Sequence, residues 1–175
     1  MKPDELAARG VRVKAIRIEG DVAYVPLTKG YEAVIDAADV HLVKGRPWHA
    51  KPDKSCVYAR TNVQKSDGTR TTVMMHQLLT GFAMTDHING DGLCNRRSNL
   101  RAATIEQNNQ NAAKPRTNTS GIKGVTWDRQ RNKWRATISV GSKGVHLGYF
   151  STPDDAAAVY AKASAKHHGE FGRTA

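Results

Sequence analysis

Cysteine is nearly absent from this 175-residue chain. Cys56 and Cys94 are the only two, too few for a disulfide framework and without the Cys-x-x-Cys spacing of a structural zinc site. No structural zinc is expected, and a reducing, cytoplasmic setting fits. Long apolar runs are missing as well: nothing approaches the roughly 18 residues of a membrane-spanning helix, and the opening MKPDELAARG lacks the apolar segment of a secretory leader. Secretion and membrane insertion are not expected. Aromatic side chains make up only 6% of the chain. With no cluster of them to stack on unpaired bases, an RNA-binding role ranks last among the readings weighed.

Acidic residues are also scarce. Against 16 Asp and Glu stand 27 Lys and Arg, a formal charge of +11, a field that attracts and steers polyanions. The excess is uneven: residues 1–112 carry 16 basic and 12 acidic side chains, residues 113–175 carry 11 and 4. The shorter C-terminal part is the more basic.

Short β-branched runs dominate the first third, at 16–18, 22–25 and 31–35, and read as strands. Gly20-Asp21 fits a two-residue hairpin turn, and Lys44-Gly45-Arg46-Pro47 a loop leading to Trp48. The runs at 56–63 and 71–76 flank Ser66-Asp67-Gly68, a second hairpin signature, after which Gln77-Leu78-Leu79 looks helical. His76, beside apolar residues, reads as a structural histidine before a catalytic one.

The densest polar cluster is 85–111, with a vicinal Asp86-His87 and six asparagines. Residues 85–88 suggest a strand, the glycine-rich stretch a turn, and 99–101 the returning strand. Thr104 with Gln107 three residues on is a capping-box pattern, so a helix is expected from Ile105, with Asn108 and Asn111 on neighbouring surface. Phosphodiester hydrolysis needs a base for water, a divalent ion to offset charge, and a group to orient the base. Asp86, His87, Asn99 and Asn108 supply these types, and one carboxylate with one amide suits a hard cation such as Mg²⁺.

From Asp86 to Arg101 the chain reads D-H-I-N-G-D-G-L-C-N-R-R-S-N-L-R, which resembles the HNH endonucleases of the phage and intron-encoded homing type. The resemblance implies a ββα-metal (His-Me finger) unit with His87 as general base and Asn99 orienting the histidine loop. It further implies Asp86 and Asn108 as ligands of Mg²⁺ or Mn²⁺, with Asn108 where many members carry a final histidine. Cys94 departs from the Asp or Asn expected there. Arg96, Arg97 and Arg101 beside the motif are candidate phosphate contacts.

A polar stretch at 112–120 reads as a linker, with Lys114 and Arg116 as its cations. Beyond it come β-like runs at 121–127, 133–140 and 144–150. A helix follows to about His167, opened by Thr152 with Pro153 at its first position. Alternation puts Trp134, Ala136, Ile138 and Val140 on one face and Arg135, Thr137 and Ser139 on the other. The segment 121–172 resembles the DNA-binding domain of plant ethylene-response factors, carried by GVTW at 124–127, KWRATI at 133–138, LGYF at 147–150 and HGEF at 168–171. The resemblance implies a three-stranded sheet that enters the major groove, with Lys123, Trp127, Arg129, Arg131, Arg135 and Thr137 as readers. Thr126, Ser139 and His146 differ from that family's usual residues, so its target does not transfer.

The expected fold is therefore α+β: a β-rich supporting region (1–62), a nuclease core (63–111), a linker (112–120), and a small antiparallel sheet packed on one helix (121–172). The expected function is metal-dependent endonuclease action on double-stranded DNA, by a phage or mobile-element enzyme working as a monomer or dimer. The alternative is a DNA-binding regulator with a degenerate nuclease half.

Overall fold

The computed structural model describes residues 13–53, 56–115, 117–141 and 143–174. The N-terminal decapeptide and Arg116 lie outside them. Among the described residues the fold is α+β, with helices and four small antiparallel sheets, and the chain divides into two compact units, residues 1–102 and 103–175. The division falls ahead of the capped helix, so the 112–120 stretch lies inside the second unit.

In the first unit, β1 (Arg17–Glu19), β2 (Val22–Pro26) and β3 (Glu32–Asp36) form one sheet. Gly20 takes the left-handed conformation, φ 61°, that the tight turn after β1 requires. The register sets Ala23 opposite Ile35 and Val25 opposite Ala33. All four are buried on one face, which is why these strands alternate in sequence. A second sheet comprises β4 (His49–Pro52), β5 (Val57–Gln64) and β6 (Arg70–Met74). β4 carries no sequence signal of its own, being four residues that end on proline. Helices α1 (Val40–Val43) and α2 (Met75–Thr80) close over the core, where Leu27, Trp48, Met75 and Leu79 join the strand residues. The run expected as strand through His76 turns helical at Met75, so His76 sits in the first turn of α2. A two-stranded ladder, β7 (Thr85–His87) with β8 (Leu100–Ala102), ends the unit.

The second unit begins with α3 (Ile105–Asn111), whose capping box is complete: Thr104 accepts from the Gln107 amide, and the Gln107 side chain accepts from Thr104 N–H. The sheet β9 (Val125–Asp128), β10 (Lys133–Val140) and β11 (Lys143–Phe150) follows, with β10 central. Helix α4 (Pro153–His168) starts where expected, on the Thr152 cap, and buries Ala156, Tyr160, Ser164 and His168, a four-residue spacing that makes one stripe. With Val125 and Ala136, Ala156 forms the centre of a small core.

Gly124 shows how tightly that core is drawn. Its φ is +75°, and a Cβ there would meet the Tyr160 ring at 2.1 Å and the Thr137 carbonyl oxygen at 2.8 Å. Overpacking and left-handed strain each cost about 1–3 kcal/mol. Gly124→Ala is therefore expected to destabilise the second unit by about 2–5 kcal/mol in thermal or urea unfolding. A wild-type melting profile would contradict this packing.

Candidate active site

The histidine loop between β7 and β8 is held from three sides within the first unit. It is stitched to β3 by backbone hydrogen bonds from Val34 N to Leu93 O (2.8 Å) and from Asn95 N to Val34 O (2.6 Å). Asn99 spans it from the far end: its amide donates to Asn89 Oδ1 (2.9 Å) and to Cys94 O (2.7 Å), and its Oδ1 accepts from Asn89 N (3.0 Å). The departure at position 94 therefore leaves the brace intact, because Asn99 uses the backbone of Cys94. The third support is Tyr58. A Cβ on Gly92 would lie 2.6 Å from its ring and 2.7 Å from Val57 O, so the loop reaches β5 only because residue 92 has no side chain.

His87 is buried, 5% exposed, and its Nε2 lies 3.2 Å from Asn95 Oδ1. The Asn95 amide donates to Gly92 O and Leu93 O, which leaves the oxygen facing the imidazole. That network assigns the proton to Nε2 and makes Nδ1 the proton-accepting nitrogen. Burial pushes the His87 pKa below its ordinary value, against the Asn95 bond and the charges of Asp86 and Asp91, which pull it up. A neutral imidazole at neutral pH is the form a general base needs.

Asp86 is 3% exposed, and its Oδ2 accepts from Arg101 Nε at 2.9 Å, with Nη2 of the same guanidinium 2.8 Å away in the ion pair. The other two arginines of the motif are likewise engaged. Arg96 bridges Asp36 (2.7 Å) and Asp21 (2.6 Å), and Arg97 forks onto Asp39 (2.8 and 2.9 Å) while its N–H donates to Asp36. Burial works to raise the Asp36 carboxyl, but the Arg97 N–H and the Arg96 guanidinium outweigh it and hold it low. Arg96 and Arg97, expected as phosphate contacts, clamp the loop to the first sheet and to the residue before α1. The partners lie 58 to 75 residues away in sequence, out of reach of any local pattern.

Two residues of the site went unnoticed in the sequence. Asn95 is fully buried and is the one that bonds His87, whereas Asn99 works on the loop; spacing alone could not rank two asparagines in one turn. Tyr58 packs its ring 5.8 Å from that of His87 and 5.9 Å from that of His76, and nothing in the motif points to it.

His76 stands edge-on to His87, centroids 5.1 Å apart, with Nδ1 buried and without a hydrogen-bond partner. Burial, then the neighbouring His87 and Lys51, lowers its pKa to about 4. Below pH 6.5 the unfolded chain takes up a proton that the folded one refuses. Stability is thus complete above pH 6.5 and lost as pH falls toward 4, by on the order of 3 kcal/mol. Melting curves across that window should fall more steeply for the wild type than for His76→Phe. Parallel curves would contradict the assignment.

In the second unit, Asn108 lies on α3, its N–H bonded to Thr104 O. Arg135 and Thr137 lie on the sheet face opposite Ala136 and Ile138, as alternation requires, and Arg135 is exposed. Arg129 and Arg131 occupy the β9–β10 turn, where Arg131 pairs with Asp128 at 3.5 Å and lies 4.8 Å from the Tyr149 ring centre. Trp127 and Lys123 are placed differently from the expected outer face. The register sets Trp127 opposite Trp134, rings 5.1 Å apart, on the helix side of the sheet. Lys123 donates to Gln110 O and Ala112 O (2.5 and 2.6 Å), satisfying the C-terminal carbonyls of α3.

Among the described residues no group of three His, Cys, Asp or Glu side chains converges on a metal-sized site. A hard cation on one carboxylate and one amide would not form such a group. The buried Asp86 carboxylate next to His87 in β7 is a hard oxygen donor of the kind an oxygen-preferring ion takes.

Residues 84–110 match the family described as HNH endonuclease. "Protein 3.8" of Escherichia phage T7 is 34% identical over 88 residues, which are 50% of this chain and 72% of the phage protein. The chain belongs to the HNH endonuclease family. No solved structure matches it.

Proposed function

We propose that the chain is a divalent-metal-dependent endonuclease that hydrolyses phosphodiester bonds in duplex DNA, acting for a phage or mobile element in the host cytoplasm. The observation that carries this is the buried His87 imidazole, its Nε2 3.2 Å from Asn95 Oδ1, in the strand residue that follows Asp86. Nδ1 of His87 takes the proton of a water molecule as that water's oxygen attacks phosphorus, and Asn99 holds the loop that aims the ring. Asp86 and, by the family pattern, Asn108 are the residues that would hold Mg²⁺ or Mn²⁺. Such an ion would offset charge on the phosphate and leaving oxygen.

Residues 121–172 form, in this proposal, a DNA-binding domain of the ethylene-response-factor type. Arg129, Arg131, Arg135 and Thr137 approach the groove, with Trp127, 42% exposed, and Lys123 as further contacts of the same domain. One active site in a monomer most simply gives a nick. The rival, a DNA-binding regulator with a silent nuclease half, draws on the Arg101–Asp86 ion pair, which engages a carboxylate that cleavage requires. Incubation of supercoiled plasmid with the protein separates the two. Open-circle product with Mg²⁺ or Mn²⁺ that disappears in EDTA is expected, and plasmid that stays supercoiled with both ions favours the regulator.

A further inference from the structure

The described arginines of the first unit fall into two groups. Arg17, Arg96, Arg97 and Arg101 are tied to carboxylates. Arg46, Arg60 and Arg70 form no ion pair among the described residues, and neither does Lys51; of these, Lys51, Arg60 and Arg70 belong to the β4–β5–β6 sheet.

The register puts them on one face. Lys51 is opposite Tyr58, His49 and Met74 flank Arg60, Asn62 is opposite Thr72, and Gln64 is opposite Arg70. Cross-strand partners share a face, and the intervening residues Ala50, Ala59 and Thr61 are buried on the other. The outer face is therefore polar and basic, and β4, β5 and β6 contain no acidic residue. Arg60, Asn62, Gln64 and Arg70 are exposed. One end of this face is fixed at the catalytic ring, because Tyr58 packs against His87. From Tyr58 the strand runs six residues to Gln64, about 20 Å at 3.3 Å per residue, which matches about six base pairs of duplex.

We propose that this face is a track for the phosphate backbone of duplex DNA, leading to His87, with Lys51, Arg60 and Arg70 as its charged contacts. The proposal rests on the nuclease reading for its substrate, but its residues belong neither to the motif nor to the C-terminal sheet. Charge complementarity selects the occupant: a row of unneutralised cations with short polar side chains between them suits a regular polyanion. The arginines nearby that hold the histidine loop, Arg96, Arg97 and Arg101, are by contrast each paired with a carboxylate.

The test is the affinity of the full chain, carrying His87→Ala to prevent cutting, for a labelled duplex about 30 base pairs long at a series of salt concentrations. Each phosphate contact removed lowers the slope of log affinity against log salt by about one. Lys51→Gln/Arg60→Gln/Arg70→Gln is expected to lower it by about 2–3, with an unchanged melting temperature. Lys29→Gln/Lys44→Gln, two exposed lysines elsewhere on the unit, should leave it unaltered. An unchanged slope in the folded triple variant would overturn the track, as would a loss seen with duplex RNA alone. The nuclease reading is judged separately, by plasmid cleavage with the wild type.

Discussion

Exchange of His87 for alanine is expected to slow DNA cleavage by about 10²–10⁴-fold, the contribution of a positioned general base, while duplex affinity stays within about twofold. The two effects separate because the ring is buried and uncharged. It carries no electrostatic share of binding, and its removal spares the backbone bonds that stitch the loop to β3. The deleted group is the nitrogen that accepts the proton of water. His87→Gln is the sharper control, since it preserves volume and a hydrogen bond to Asn95 yet offers no base. Both variants should bind and neither should cut. Cleavage at the wild-type rate by either would assign the base elsewhere.

Gly92→Ala is expected to cost about 1–3 kcal/mol of stability through overpacking and roughly 10²-fold in cleavage rate. Two obstacles meet the new methyl: the Tyr58 ring, which can tilt, and the Val57 carbonyl oxygen, which is fixed in β5. The loop must therefore move outward. Asn95, three residues on, moves with it and carries away the oxygen that orients His87; a shift of about 1 Å in a reacting group costs on that order. Binding of DNA should be little changed. Nicking kinetics and melting curves of this variant check the account, and wild-type values in both would show that the loop does not depend on contact with Tyr58.

Much of this site was legible because its signals are local. Asp86-His87 followed by a returning strand and a Thr104–Gln107 capping box is read within 27 residues, and the box, the β7–β8 ladder and the Thr152 start of α4 stand where the pattern puts them. What was not legible depends on distant partners. The sequence displays the charges of Arg96 and Arg97 but not Asp21, Asp36 and Asp39, which absorb them. It offers two asparagines in one loop, and only the pairing of Asn95 with Val34 in β3 decides which one turns toward the histidine. Trp127 shows the same limit in the second unit. Alternation along β10 is plain, but the phase of β9 is set by the turn at 129–132, and that places Trp127 beside Trp134 rather than on the outer face. Likewise the basic face of β4–β5–β6 emerges only from register, since its three cations are spread over 20 residues of unremarkable sequence.

The central claim, that His87 cuts DNA, is tested most directly by sequencing the ends left when genomic DNA is incubated with the protein and Mg²⁺. The account predicts ends enriched at preferred positions for the wild type, and none above background in EDTA or with His87→Ala. Equal enrichment with His87→Ala, or none with the wild type in Mg²⁺ or Mn²⁺, would contradict it.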